Sequence, residues 1–156
     1  IIAEDLGLMT QGVIDLREAT GFPGMKILGF AFDSEEENDY LPHTYTKNCV
    51  VYTGTHDNDT LIGWFTKAKE KDKQFARDYL NSQTDDNIHW DAIRGAWSSV
   101  ANMAIAPIQD FLGLGSEARI NTPGVASGNW QWRLKDGVLT DELAEKIAKL
   151  TKVYSR

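Results

Sequence analysis

Two polar clusters standing at the ends of apolar runs are the parts of this chain best suited to chemistry. The first is Glu4-Asp5-Leu6-Gly7, delivered by Ile1-Ile2-Ala3. The second is Gly54-Thr55-His56-Asp57-Asn58-Asp59-Thr60, delivered by Val50-Val51-Tyr52-Thr53. A carboxyl group at the carboxyl end of a buried parallel strand is where barrel enzymes hold catalytic residues. Placed there, Glu4 can serve as a general acid, its proton retained by a partly apolar pocket. Asp57 can hold an ionised carboxylate against developing positive charge, and His56 can hydrogen-bond a sugar hydroxyl. Structural roles compete with these. Both acids of the first cluster can be solvated loop residues, with Asp5 capping the following turn. The second cluster can be an Asx-turn with Asn58 or Asp59 capping the next helix. Capping accounts for Asp59 and leaves the His56-Asp57 pair unexplained.

Other chemistries fit less well. His56, Asp57 and Asp59 could ligate a divalent ion, but no His-x-x-x-His or cysteine pair completes a set, so neither a metal nor another cofactor is expected. Gly113-Leu114-Gly115 lacks the third glycine of a dinucleotide fingerprint, and no Gly-x-Ser-x-Gly elbow is present. The stretches 116–124 and 128–133 mix amides, arginines and tryptophans in loop context. Sugar sites use that mix, with rings on aromatic faces and amides on hydroxyls. Asn121 is read as a binding residue. Trp130 and Trp132 are read as packing loop against barrel, and the arginines as forming surface pairs.

The elements that must position these groups alternate between strand and helix. Strands are expected at 1–3, 25–32, 49–54 and 103–108. Helices are expected at about 11–19 (Thr10 as cap, Gly21 as stop), 61–69 (capped by Asp59 or Thr60), 72–81, 90–101 and 141–154 (capped by Thr140). Residues 33–48 read as a long acidic loop, 82–87 as linker and 113–128 as glycine-rich loop. Alternation of this kind implies an α/β fold with parallel strands. Periodicity alone leaves two architectures open: half of an eight-unit barrel, or a free-standing four-strand sheet.

Composition narrows the partners. The 156 residues carry 42% hydrophobic side chains and a net charge of −7, enough for one domain with a core. No apolar run of about 18 residues suggests a membrane span, and no basic face suggests nucleic acid. The single cysteine, Cys49, forbids an internal disulfide and reads as a small buried hydrophobe. Asn58-Asp59-Thr60 has the form of a glycosylation sequon. A glycan there would cover the proposed site, which favours a cytoplasmic protein.

Taken in order, several blocks carry a resemblance. They are Ala3-Glu4-Asp5-Leu6-Gly7, Phe22-Pro23-Gly24-Met25-Lys26, Thr53 to Thr60, Pro107-Ile108-Gln109-Asp110 with Leu112-Gly113-Leu114-Gly115, Arg119-Ile120-Asn121-Thr122-Pro123-Gly124 and Gly128-Asn129-Trp130-Gln131-Trp132-Arg133. With them the chain resembles the amylomaltases and disproportionating enzymes, the 4-α-glucanotransferases of glycoside hydrolase family 77. The resemblance implies a (β/α)8 TIM barrel of which residues 1–156 form the C-terminal half, about strands five to eight, with the N-terminal half outside this chain. It makes Glu4 the general acid/base and Asp57 the transition-state-stabilising aspartate. Substrate-binding roles fall to His56, Asn58, Asn121 and Gly54. The family's nucleophile, an aspartate in an Arg-x-Asp block, has no counterpart here. The implied reaction is retaining transfer of α-1,4-glucan segments between maltooligosaccharides, and these 156 residues alone are expected to be inactive. Open barrel edges imply non-native self-association of the isolated piece. The alternative from another class is a stand-alone carbohydrate-binding or metal-dependent α/β module.

Overall fold

The computed structural model describes residues 1–35 and 39–156. Part of the expected acidic loop, residues 36–38, lies outside the described residues. The element order is α1 (Gln11–Thr20), β1 (Gly24–Ile27), β2 (Cys49–Tyr52), α2 (Leu61–Lys67), α3 (Glu70–Leu80), α4 (Ile88–Ser98), β3 (Met103–Ile105), α5 (Ile108–Phe111) and α6 (Asp141–Val153). The three strands form one parallel sheet in the order β1-β2-β3. Gly24 pairs with Cys49 and Ile27 with Tyr52, while Val50 pairs with Met103 and Tyr52 with Ile105.

Burial follows strand position. Central β2 is apolar on both faces, with Cys49, Val50 and Val51 buried, as a covered parallel strand requires. Burial also pushes the Cys49 thiol above its ordinary pKa. Edge strand β3 leaves Met103 half exposed. Helix α4 supports the sheet from one side. Its buried stripe Ile88, Ala92, Ile93, Ala96 and Trp97 has the three-to-four spacing of one helical face, and it touches α2, α3, α5 and α6.

Several boundaries differ from expectation. The apolar run 25–32 is a strand only to Ile27. Leu28–Phe30 then form a 3-10 turn, and Gly29 N–H donates to the Thr53 carbonyl at 3.1 Å. The rest of the run is apolar because it packs downward: Leu28, Ala31 and Phe32 are buried, and Phe32 meets Trp64, Phe75 and Tyr79. Short apolar runs do not distinguish a strand from a buried turn. Likewise β3 stops at Ile105, because Pro107 is the N-cap of α5. Residues 1–3 are not a strand. Ala3 N–H donates to the Pro23 carbonyl at 2.9 Å, a single rung beside the start of β1.

Candidate active site

The segment carrying Glu4 is held by its neighbour. After the rung at Ala3, the next donor along the β1 edge, Met25 N–H, goes to Asp5 Oδ1 at 2.6 Å. The other oxygen, Oδ2, accepts from Arg17 Nη1 on α1 at 2.5 Å. The Asp5 side chain is 7% exposed. A Cβ on residue 24 would collide with this carboxylate, so glycine is required for the approach. Asp5 therefore clamps the segment to β1 and α1, and does not cap the following turn. Adjacent side chains in an extended segment point to opposite sides. With Asp5 turned inward to its partners, Glu4 faces the mouth at the strand ends.

The second cluster leaves β2 through Thr53, whose N–H continues the ladder to the Ile105 carbonyl at 3.2 Å. Its hydroxyl donates to Asp110 Oδ2 at 2.6 Å, and Leu61 N–H at the start of α2 donates to Asp110 Oδ1 at 2.8 Å. Asp110 thus ties β2, α2 and α5 together beneath the loop. It is 2% exposed, and burial raises its pKa against the opposing hydrogen bonds of Leu61 and Thr53. Within the loop, Asn58 Oδ1 accepts from both Thr55 N–H (2.7 Å) and Thr55 Oγ1 (2.8 Å). Gly54 lets this turn close: a Cβ there would sit 3.3 Å from Asn58 Cβ. Asn58 and Gly54 shape the loop while lining the cleft.

The cap of α2 is Thr60, whose Oγ1 accepts from Gly63 N–H at 3.0 Å. Asp59 does other work. It pairs with Lys67 at 2.7 Å and accepts from Ser116 Oγ at 2.8 Å and Thr60 N–H at 2.9 Å. Burial pushes the Asp59 carboxyl up, but Lys67, Ser116 and Thr60 together hold it below the usual range. Among the described residues, no three of His, Cys, Asp or Glu, His56, Asp57 and Asp59 included, converge in a group that could hold a metal.

Asp57 is oriented from the loop at 119–130. Asn121 Nδ2 donates to Asp57 Oδ1 at 2.5 Å, with His56 Nε2 lying 3.4 Å from the same oxygen. Asn121 N–H donates to the His56 carbonyl at 3.1 Å. Arg119 donates from Nη2 to the Asp57 carbonyl at 2.7 Å and from Nε to the Asn121 carbonyl at 2.8 Å. This arginine holds two loops and forms no surface pair among the described residues. Trp130, at φ +63°, is 57% exposed, with its ring centroid 5.0 Å from that of His56. It packs one side of its ring against the neighbouring loop at His56 and leaves the rest exposed.

Glu4, His56, Asp57 and Asn58 thus line one open cleft of about 510 Å³, with Tyr52 and Ile105 at the carboxyl ends of β2 and β3 forming its floor. Met25 and Phe30 form an apolar wall near Glu4. Asn121 stands behind Asp57 and does not line the cleft. Sequence reasoning missed the tie made by Arg119 and the role of Asp110. An aspartate following an apolar run is a legible signal for Asp110, but nothing local marks its partners.

A family model described as 4-alpha-glucanotransferase matches residues 1–140. The 4-alpha-glucanotransferase of Clostridium butyricum is 55% identical over 100% of this chain and 32% of its own length. That of Synechocystis sp. is 52% identical over 100% of this chain and 31% of its own length. The chain thus spans about a third of the length of these curated relatives. Among solved structures, the amylomaltase from Streptococcus agalactiae in complex with acarbose superposes with a TM-score of 0.95 at 35% identity, covering 99% of this chain and 32% of that one.

Proposed function

This chain belongs to the 4-alpha-glucanotransferase family, glycoside hydrolase family 77, and on that premise we propose that it supplies two of three catalytic carboxylates to a retaining glucanotransferase. One observation carries the reading. Glu4 and the His56-Asp57 pair, distant in sequence, line the same cleft at the carboxyl ends of a parallel sheet.

In the first half-reaction an aspartate outside these 156 residues attacks the anomeric carbon of a maltooligosaccharide. Glu4 gives its proton to the departing glycosidic oxygen, and a glucosyl–aspartate ester forms. In the second, the 4-hydroxyl of an acceptor glucan gives its proton to Glu4 and attacks the same carbon, releasing the aspartate with net retention. Retention calls for a separation of about 5–5.5 Å between nucleophile and acid. Asp57 stabilises positive charge developing on the ring. His56 holds a sugar hydroxyl, and Gly54 and Asn58 present the loop to the substrate. The acarbose held by the Streptococcus agalactiae relative supports an oligosaccharide ligand.

The chain is further proposed to be the C-terminal half of a (β/α)8 barrel, about strands five to eight. Three parallel strands in sequential order, with the Glu4 segment alongside β1, support this. The half-exposed Met103 on edge strand β3 supports self-association of the isolated piece. No helix among the described residues is long and apolar enough to cross a membrane. A cytoplasmic setting is proposed because a glycan on Asn58 would stand in the cleft and disturb its bonds to Thr55.

Disproportionation of maltotriose by the full-length protein tests the function. Glucose and longer maltodextrins should form, and Glu4→Gln or Asp57→Asn should lower kcat by several orders of magnitude. A folded full-length protein that releases no glucose, or either variant retaining full activity, overturns the assignment.

A further inference from the structure

We propose that Arg119 is a positioning residue that aims the Asp57 carboxylate. The inference rests on the functional reading above, since the aim of Asp57 matters only if Asp57 acts on a sugar. Its basis is a closed ring of hydrogen bonds. Arg119 Nη2 reaches the Asp57 carbonyl at 2.7 Å and Nε reaches the Asn121 carbonyl at 2.8 Å, while Asn121 Nδ2 reaches Asp57 Oδ1 at 2.5 Å. One planar cation therefore sets the backbones on both sides of the bond that orients the carboxylate.

Three features favour positioning over a role in folding or in substrate contact. Arg119 forms no ion pair among the described residues, so its donors serve backbone carbonyls in place of an acid. It is absent from the cleft where Glu4 faces Asp57 and lines an adjoining cleft beside Asp57 and Asn58, so the split between kcat and KM separates positioning from sugar contact. And the two carbonyls it bridges belong to loops far apart in sequence, which are also joined by the bond from Asn121 N–H to the His56 carbonyl at 3.1 Å and by the Trp130 ring beside that of His56. A rigid fork can hold both carbonyls at once, whereas the single ammonium of lysine is a point donor.

The test uses the full-length protein and maltotriose kinetics on Arg119→Ala, Arg119→Lys, Asp57→Asn and the double variant Arg119→Ala/Asp57→Asn. Displacing a catalytic group by about 1 Å costs about 100-fold. Arg119→Ala should therefore lower kcat by about 100-fold with KM within about threefold of wild type. Arg119→Lys should recover part of the loss, to about tenfold below wild type. In the Asp57→Asn background, Arg119→Ala should cost less than about threefold, because the group it aims is gone. Should Arg119→Ala fail to fold, Arg119→Lys carries the same comparison in both backgrounds. Variants within about twofold of wild type, or a loss of equal size in the Asp57→Asn background, overturn the proposal. A wild-type protein that does not transfer glucose overturns the functional reading and this one with it. A wild type that transfers beside an unaffected Arg119→Ala overturns this one alone.

Discussion

The side-chain amide of Asn121 donates to Oδ1 of Asp57 at 2.5 Å, joining positions 64 residues apart. The same oxygen lies 3.4 Å from His56 Nε2, and Oδ2 has no hydrogen-bond partner among the described residues. One oxygen of the carboxylate is thus engaged by the protein, and under the proposed function the other is available to the sugar. Such an arrangement aims a charge at a fixed place before substrate arrives, which is how electrostatic stabilisation avoids reorganisation during the reaction.

Asn121 substitutions should act on Asp57 through that bond. In Asn121→Ala the carboxylate loses its donor, and kcat of the full-length protein on maltotriose should fall by about 10–100-fold, as expected when a catalytic group is displaced by up to about 1 Å. Asn121→Asp should do worse. It places a second carboxylate against the first, and like charges at that distance cannot both ionise in place. Steady-state kinetics on both variants checks the order, and an Asn121→Asp variant as active as Asn121→Ala would show that repulsion is relieved by movement.

Asp5→Ala should destabilise the full-length protein by about 2–4 kcal/mol, because it strands a backbone donor and a cation together. Met25 N–H loses its acceptor and Arg17 loses its partner. Asp5→Asn keeps an acceptor for Met25 and should cost less. Urea unfolding of the three proteins measures both. Equal stability of Asp5→Ala and wild type would mean that water replaces the carboxylate at no cost.

Local pattern made the longer helices and the central strand readable, but not the short α5, whose sequence reads as the end of a strand and linker, and tertiary pairing made the rest unreadable. Helix α1 ends at Gly21 as its sequence says, and β2 is apolar on both faces because it is central. Residues 25–32 misled because a buried turn and a buried strand have the same composition. Within the candidate site, Glu4, His56 and Asp57 were singled out because each follows an apolar run, and the structure brings them to one cleft although the run before Glu4 is not a strand. Arg119 was not. Its partners are two carbonyls, which every residue carries, so no side-chain pattern announces the contact. The exposed side of Trp130 was hidden for a related reason. An exposed aromatic at a left-handed position is visible only once its φ is known.

Gly113→Ala should lower stability for two separable reasons. Residue 113 sits at φ +63°, where an L side chain costs about 1–2 kcal/mol. A Cβ there would also stand 3.0 Å from the ring of His89. That ring is half-buried, with its Nδ1 buried and unpartnered among the described residues, and burial lowers the pKa of the imidazole. Thermal unfolding of Gly113→Ala, His89→Ala and the double variant separates the parts. The double variant should be more stable than the sum of the singles predicts, because removing the ring relieves the steric part and leaves the backbone strain.

Asp110 should impose a pH dependence opposite in sign to that of an ion-paired aspartate. Burial raises its folded pKa above the unfolded value of about 3.9. Across the window between those two values the native state holds the proton more often than the unfolded state does. Stability contributed by this group is therefore full below about pH 4 and is lost as pH rises through the folded pKa. Other carboxylates titrate over the same range. Asp59, held below its usual value by Lys67, Ser116 and Thr60, contributes with the opposite sign and loses its stabilisation as pH falls. The isolating measurement is a difference. Unfolding free energies of wild type and Asp110→Asn are compared from about pH 4 to about pH 8, where the amide does not titrate. The advantage of the wild type should shrink as pH rises. A growing advantage would mean that the hydrogen bonds from Thr53 and Leu61 favour the ionised form by more than burial opposes it. The carboxylate beneath the loop would then be charged and stabilising at neutral pH.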